Sequence, residues 1–201
     1  MSALDHVLSR LGTVLLILAV GLVGFGAALP SDEVATPPGG FRPLSAPSKP
    51  TRLVVPALKM RAPIAPIEVS PSGVLDPPAD VDVVGWWKRS MRPGATRGQT
   101  VLTGHTVNTG GGVMDRLGDL RPGQVVRVVT PRGAMVYRTT RVVTLSKAEL
   151  AAQSRILFGQ DRARTRLVLI TCTDWNGSEF ESNIVAFARP LGVRQAPDSG
   201  R

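Results

Sequence analysis

The sequence predicts an all-β domain, a sandwich or barrel, and three observations carry that expectation. From Thr51 onward short β-branched runs alternate with Pro and Gly, a spacing typical of compact β architectures. The runs around Val125–Val129 and Tyr137–Arg141 alternate as strands with one solvated face do. A hydrophobic content of 43% is enough for one core in a chain of 201 residues.

Taken in order, the chain begins with a segment (1–10) that is read as polar, with Asp5, His6 and Arg10, and is expected to be cytoplasmic. Leu11–Leu29 then carries no charge over 19 residues. As a helix that run spans roughly 28 Å, matching a bilayer core of about 30 Å, so an N-terminal transmembrane anchor is expected, with a cleaved signal peptide as the alternative. Arg10 before the run and Asp32 and Glu33 after it favour a cytoplasmic N-terminus, which leaves the rest of the chain outside the cell as a single-pass membrane protein. Residues 30–50 hold six prolines and read as an extended linker, able to hold the domain on the order of 60 Å from the membrane. The domain proper is expected at 51–192, with a tail at 193–201. Strands are expected near Arg52–Val55, Ala65–Val69, Thr100–Thr103, Gln124–Thr130, Ala134–Leu145, Arg166–Thr171 and Asn183–Ala188. Short helices are expected at Val113–Leu117 and Lys147–Gln153.

The formal charge is +9, and all of the excess lies in residues 51–201. That suits an anionic surface, phospholipid or wall polymer. The arginines are scattered along strands without interleaved aromatics, so nucleic-acid binding is not expected. One cysteine excludes an internal disulfide, and no Cys/His cluster exists for a metal; no cofactor is expected.

Two short stretches carry chemistry. Thr103-Gly104-His105 holds the only histidine outside the first ten residues, and Leu169-Ile170-Thr171-Cys172 holds the only cysteine. Both are read as strand ends. A thiol is weakly nucleophilic at neutral pH unless an imidazole takes its proton or stabilises the thiolate, so Cys172 is the candidate nucleophile and His105 the candidate general acid/base. The bland alternatives are a buried small hydrophobe and a satisfied strand-end histidine. Thr103, Thr171 and Trp175 are candidate substrate contacts. Thr171 should point away from Cys172, and Trp175 should either wall a groove beside the thiol or pack on the end of the domain. Trp86 and Trp87, if on a strand, should face opposite ways.

These motifs resemble the sortases, membrane-anchored cysteine transpeptidases of Gram-positive bacteria, and the layout is most like the class F group of actinobacteria. Supporting stretches are 50–56, Val84-Gly85-Trp86-Trp87, 117–123 and 183–188, so the resemblance covers about residues 50–192. It implies a closed eight-stranded barrel with short connecting helices, acting as a monomer. It also implies cleavage of a Leu-Pro-x-Thr-Gly type sorting signal through a Cys172 thioester, with transfer to a cell-wall or pilin amine. A non-catalytic basic binding module and a purely hydrolytic thiol protease are the competing readings. Sortases carry an arginine on the strand after the cysteine; here that stretch reads Phe180-Glu181-Ser182-Asn183-Ile184-Val185. Asn183 is the candidate hydrogen-bond donor in its place, with Ser182, Arg97, Arg138 and Arg141 as further candidates.

Overall fold

The computed structural model describes residues 39–71 and 73–195. The expected anchor, the cytoplasmic N-terminus and residues 196–201 of the expected tail lie outside them. Among the described residues there are nine strands: β1 Phe41–Arg42, β2 Arg52–Val55, β3 Met60–Ile67, β4 Val84–Trp87, β5 Gln99–Thr103, β6 Val125–Thr130, β7 Gly133–Ser146, β8 Arg166–Trp175 and β9 Phe180–Arg194. Two short helices, α1 Lys147–Ala152 and α2 Ser154–Phe158, lie in the β7–β8 connection. No helix among the described residues is long and apolar enough to cross a membrane.

Strands β2 to β9 close on themselves in the order β9-β7-β6-β2-β3-β4-β5-β8, with β8 pairing back to β9. The result is the expected eight-stranded closed barrel. Closure leaves no long edge open among these strands, which removes the main aggregation hazard of an all-β domain. The β3/β4 and β5/β8 pairings are parallel and the others antiparallel. β1 is a ninth, short strand laid against the end of β9, with Phe41 opposite Arg194 and Arg42 opposite Val193. The stretch read as the end of a linker is therefore part of the domain from Phe41, and Leu44 is buried at 6% exposure. An isolated Phe and Leu among prolines gave no periodicity to announce this. β9 likewise runs two residues past the expected domain boundary, because β1 gives Val193 and Arg194 a partner.

Strand alternation divides the side chains into two sets. Leu167 and Leu169 of β8, Leu102 of β5, Trp86 of β4 and Val126 and Val128 of β6 fill the barrel interior. Val168 and Ile170, Val101, Val185 and Phe187 point to the outer face, where Leu157, Leu150 and Phe158 of the two helices and Trp87 cover them. The two tryptophans do face opposite ways. α1 is set by a capping box: Ser146 Oγ accepts the Glu149 backbone N–H, and the Glu149 carboxylate accepts the Ser146 N–H. Val113–Leu117 forms turns rather than a helix, followed by a 3-10 segment at Leu117–Asp119.

Candidate active site

The site lies on the outer face, where β5 and β8 run side by side. Their parallel register pairs Gln99 with Arg166 and Thr103 with Ile170. One further backbone bond, Gly104 N to Ile170 O at 3.2 Å, carries the pairing past the end of β5. His105 and Cys172 are each two residues beyond the last paired residues, Thr103 and Ile170, so the loop that leaves β5 carries His105 on from the point where β5 and β8 part. By alternation Cys172 shares its face with Ile170 and Val168. Across the antiparallel β8/β9 pair it stands opposite Asn183.

His105 sits in a tightly tied loop. Its carbonyl accepts the Met114 N–H at 2.9 Å. The Asp115 carboxylate accepts the N–H groups of Val107 at 2.8 Å and Gly112 at 2.9 Å. Gly104 is required here, because a Cβ would lie 2.8 Å from the Met114 side chain. Gly112 is required too: a Cβ would meet the His105 carbonyl oxygen at 2.7 Å. The run of three glycines therefore ends in a packed position, whereas Gly110 and Gly111 are open. His105 Nε2 lies 2.8 Å from the Pro78 carbonyl oxygen. A carbonyl can only accept, so Nε2 carries a proton and Nδ1 is the nitrogen left to exchange one.

Thr171 is buried at 2% exposure and points away from Cys172, as expected. Its hydroxyl donates to Gly104 O at 2.8 Å and, its one proton spent, accepts from Thr106 Oγ1 at 2.8 Å. It thus ties both neighbours of His105 to the strand that carries Cys172. Thr103 is also buried, and its hydroxyl has no hydrogen-bond partner among the described residues. Neither threonine is presented at the surface.

Cys172 is partly buried and lies inside β8, three residues before its end, rather than at a strand terminus. Thr173 and Trp175 are good β-formers and extend the strand. The hairpin then turns at Asn176, whose side-chain oxygen accepts the N–H groups of Ser178 and Glu179. Trp175, 42% exposed, stacks edge-on to Phe180 at 5.0 Å on this projecting hairpin. Asn183 Nδ2 donates to the Thr171 carbonyl at 3.2 Å and lies 3.9 Å from Cys172 Sγ. It therefore lies within β9 beside Cys172 and not in a turn. Arg141 pairs with Phe187 and Arg138 with Arg189, four and six residues along β9 from Asn183, or roughly 13 and 20 Å. Both are strand residues, and neither is near the thiol.

Burial pushes the Cys172 thiol above its ordinary pKa; the Lys147 ammonium pulls it down and the Asp76 carboxylate adds to the rise. Lys147 in turn pairs with Glu179 on the β8–β9 hairpin. A thiol raised in this way reacts as a thiolate only when a base takes its proton. Alkylation of Cys172 in the resting protein should therefore increase with pH through a midpoint above that of a free cysteine. Asp76→Asn should lower the midpoint and Lys147→Gln should raise it, as measured from iodoacetamide rates between pH 6 and 10. Midpoints that move the opposite way would show that neither charge acts on the thiol. Pro78, Asp76, Lys147, Thr106 and Asp115 were not among the residues read from the sequence.

A sortase-domain family model matches residues 53–191. Among solved structures the chain is similar to sortase C-1 from Actinomyces oris, with 20% identity and a TM-score of 0.55 over 71% of this chain and 73% of that one. It is also similar to sortase A from Corynebacterium diphtheriae, with 17% identity and a TM-score of 0.57 over 76% and 64%. A third is the complex of Streptococcus agalactiae sortase C1 and MTSET, with 14% identity and a TM-score of 0.57 over 74% and 72%. No curated protein matches the chain.

Proposed function

The chain belongs to the sortase family, whose domain model spans residues 53–191, and from that premise we propose that it is a cysteine transpeptidase with Cys172 as nucleophile and His105 as general acid/base. The observation that supports the reading is the parallel β5/β8 register, since the one histidine and the one cysteine of the domain are each two residues beyond the paired Thr103 and Ile170. In the first step the Cys172 proton passes to His105 Nδ1 and the sulfur attacks the substrate carbonyl carbon. The resulting oxyanion forms beside the Asn183 amide. The C–N bond then breaks, the leaving amine takes the proton from His105, and a thioester remains on Cys172. An acceptor amine gives its proton to His105, attacks the thioester and releases the thiol.

The substrate in this reading is a protein with a Leu-Pro-x-Thr-Gly type sorting signal, cut between Thr and Gly, and the acceptor is a cell-wall or pilin amine. The 19-residue apolar run at Leu11–Leu29 supports tethering to the cell membrane with the domain outside. The layout around the Thr103-Gly104-His105 and Leu169–Cys172 motifs supports a place in class F. Incubation of the protein with a library of sorting-signal peptides should give an intact-mass increase equal to the acyl fragment, located on Cys172. Added amine should discharge it as an amide. No adduct with any peptide would overturn the transpeptidase reading, and discharge by water alone would make the protein a hydrolase.

A further inference from the structure

At the other end of the same outer face, three arginines stand side by side on three neighbouring strands. Arg138 of β7 is directly opposite Arg189 of β9. The β8/β9 register pairs Leu167 with Ala188, which brings Arg166 of β8 level with Arg189 on its other side. Like charges directly opposite on a sheet are destabilising, and here the cost is incurred twice in one row. Two more guanidinium groups crowd it. Arg141 pairs with Phe187, its Cζ 5.4 Å from the ring centroid, and Arg166 Cζ lies 4.5 Å from the same ring. Arg162 has its Nε buried without a hydrogen-bond partner.

Among the described residues no carboxylate forms an ion pair with these arginines. The ion pairs there involve Lys88, Arg89, Arg116, Lys147 and Arg155, and none of the five crowded arginines. Burial, followed by the charges of Arg162 and Arg141, holds the Arg166 guanidinium down at about 10. Arg166 is nonetheless held in place, with Nε donating to Gln99 Oε1 at 2.7 Å. Gln99 is itself fixed by the Gly159 carbonyl at 2.7 Å. A row of positive charge maintained on rigid strands, with no ion-pair partner among the described residues, is a site that invites an anion from outside.

We propose that the row Arg138–Arg189–Arg166, flanked by Arg141 and Arg162, binds a linear phosphodiester polymer. Guanidinium groups match phosphate oxygens in bidentate fashion, and a line of them across three strands suits successive phosphates of one chain better than a single anion. The one aromatic ring in the row, Phe187, is 6% exposed, so there is no platform for stacking nucleic-acid bases. Of the large exposed apolar side chains only Ile156 is next to the row, Trp175 being at the opposite end of β8 from Arg166, which leaves no apolar fringe to enter a bilayer. Arg166 is six residues along β8 from Cys172, roughly 20 Å, so a bound polymer leaves the thiol open. The site would hold the domain against a phosphate-rich matrix while it works.

The test uses the full-length protein, titrated with soluble poly(glycerol phosphate) at several salt concentrations. Binding should weaken with salt. Arg138→Gln/Arg189→Gln should weaken it about ten-fold and lower the slope of log affinity against log salt by about 2. Its melting temperature should be unchanged or higher, since a like-charge contact is removed. The charge-matched pair Arg116→Gln/Arg121→Gln, on exposed residues elsewhere, should bind like the native protein. Native-like binding by the first variant, or equal loss in the second, would overturn the proposal. So would equal affinity for poly-glutamate, or a preference for phosphatidylglycerol vesicles at matched phosphate.

Discussion

Cys172→Ala and His105→Ala should each reduce peptide turnover by several orders of magnitude, with melting temperatures close to that of the native protein. In the proposed mechanism the thiol and the imidazole act as one unit: the sulfur reacts only after Nδ1 has taken its proton, and the leaving amine departs only with that proton. Removing either partner therefore removes the function of both. The double variant should be scarcely worse than either single one. Both side chains are on the outer face and not in the barrel interior, so neither change opens a cavity there. Turnover is measured as release of the C-terminal fragment from a sorting-signal peptide, with unfolding followed separately. Native activity in either single variant would remove the pair from the chemistry.

Asn183→Ala should lower kcat by about 10²-fold with little change in KM, the loss expected for one oxyanion donor. The amide faces the sulfur across one cross-strand pair, and its second contact is the Thr171 carbonyl. A neutral amide stabilises negative charge less than a guanidinium does, so the effect should be smaller than the loss of Cys172 or His105. Because Cys172 stays in place, alkylation of the variant at high pH should continue at nearly the native rate, which separates a lost donor from a collapsed site. An unchanged kcat would mean that the oxyanion is stabilised by groups other than Asn183.

The parts of this molecule legible in its sequence are those written in side-chain pattern. Seven strands were expected and all seven are present, because alternation and β-branching mark them, and Pro131-Arg132-Gly133 marks the hairpin between β6 and β7. β4 was overlooked as a strand because Val84-Gly85-Trp86-Trp87 is four residues long and interrupted by a glycine. That glycine has a reason visible only in three dimensions: a Cβ there would lie 2.5 Å from the Ile67 side chain. His105 and Cys172 stood out because each is nearly alone of its kind. The parallel pairing of the strands that precede them did not, since register is a property of two strands and not of either one. Pro78 contributes a backbone carbonyl, which every residue has, so no residue type signals it. Asp76 and Lys147 act on the thiol from segments 96 and 25 residues away, and ordinary surface charges carry no mark of such a role.

The parallel β5/β8 ladder also bears on the order in which the molecule can form. Hairpins such as β6–β7 and β8–β9 join neighbours in sequence and close cheaply. Joining β5 to β8 requires closing a long intervening loop and then holding two strands in parallel register, which is entropically costly and slow. In the proposed mechanism the thiol has no base to serve it until that step. An unfolded or half-folded chain is thus chemically quiet, and the appearance of fast peptide cleavage during refolding should coincide with the last structural phase and with none before it.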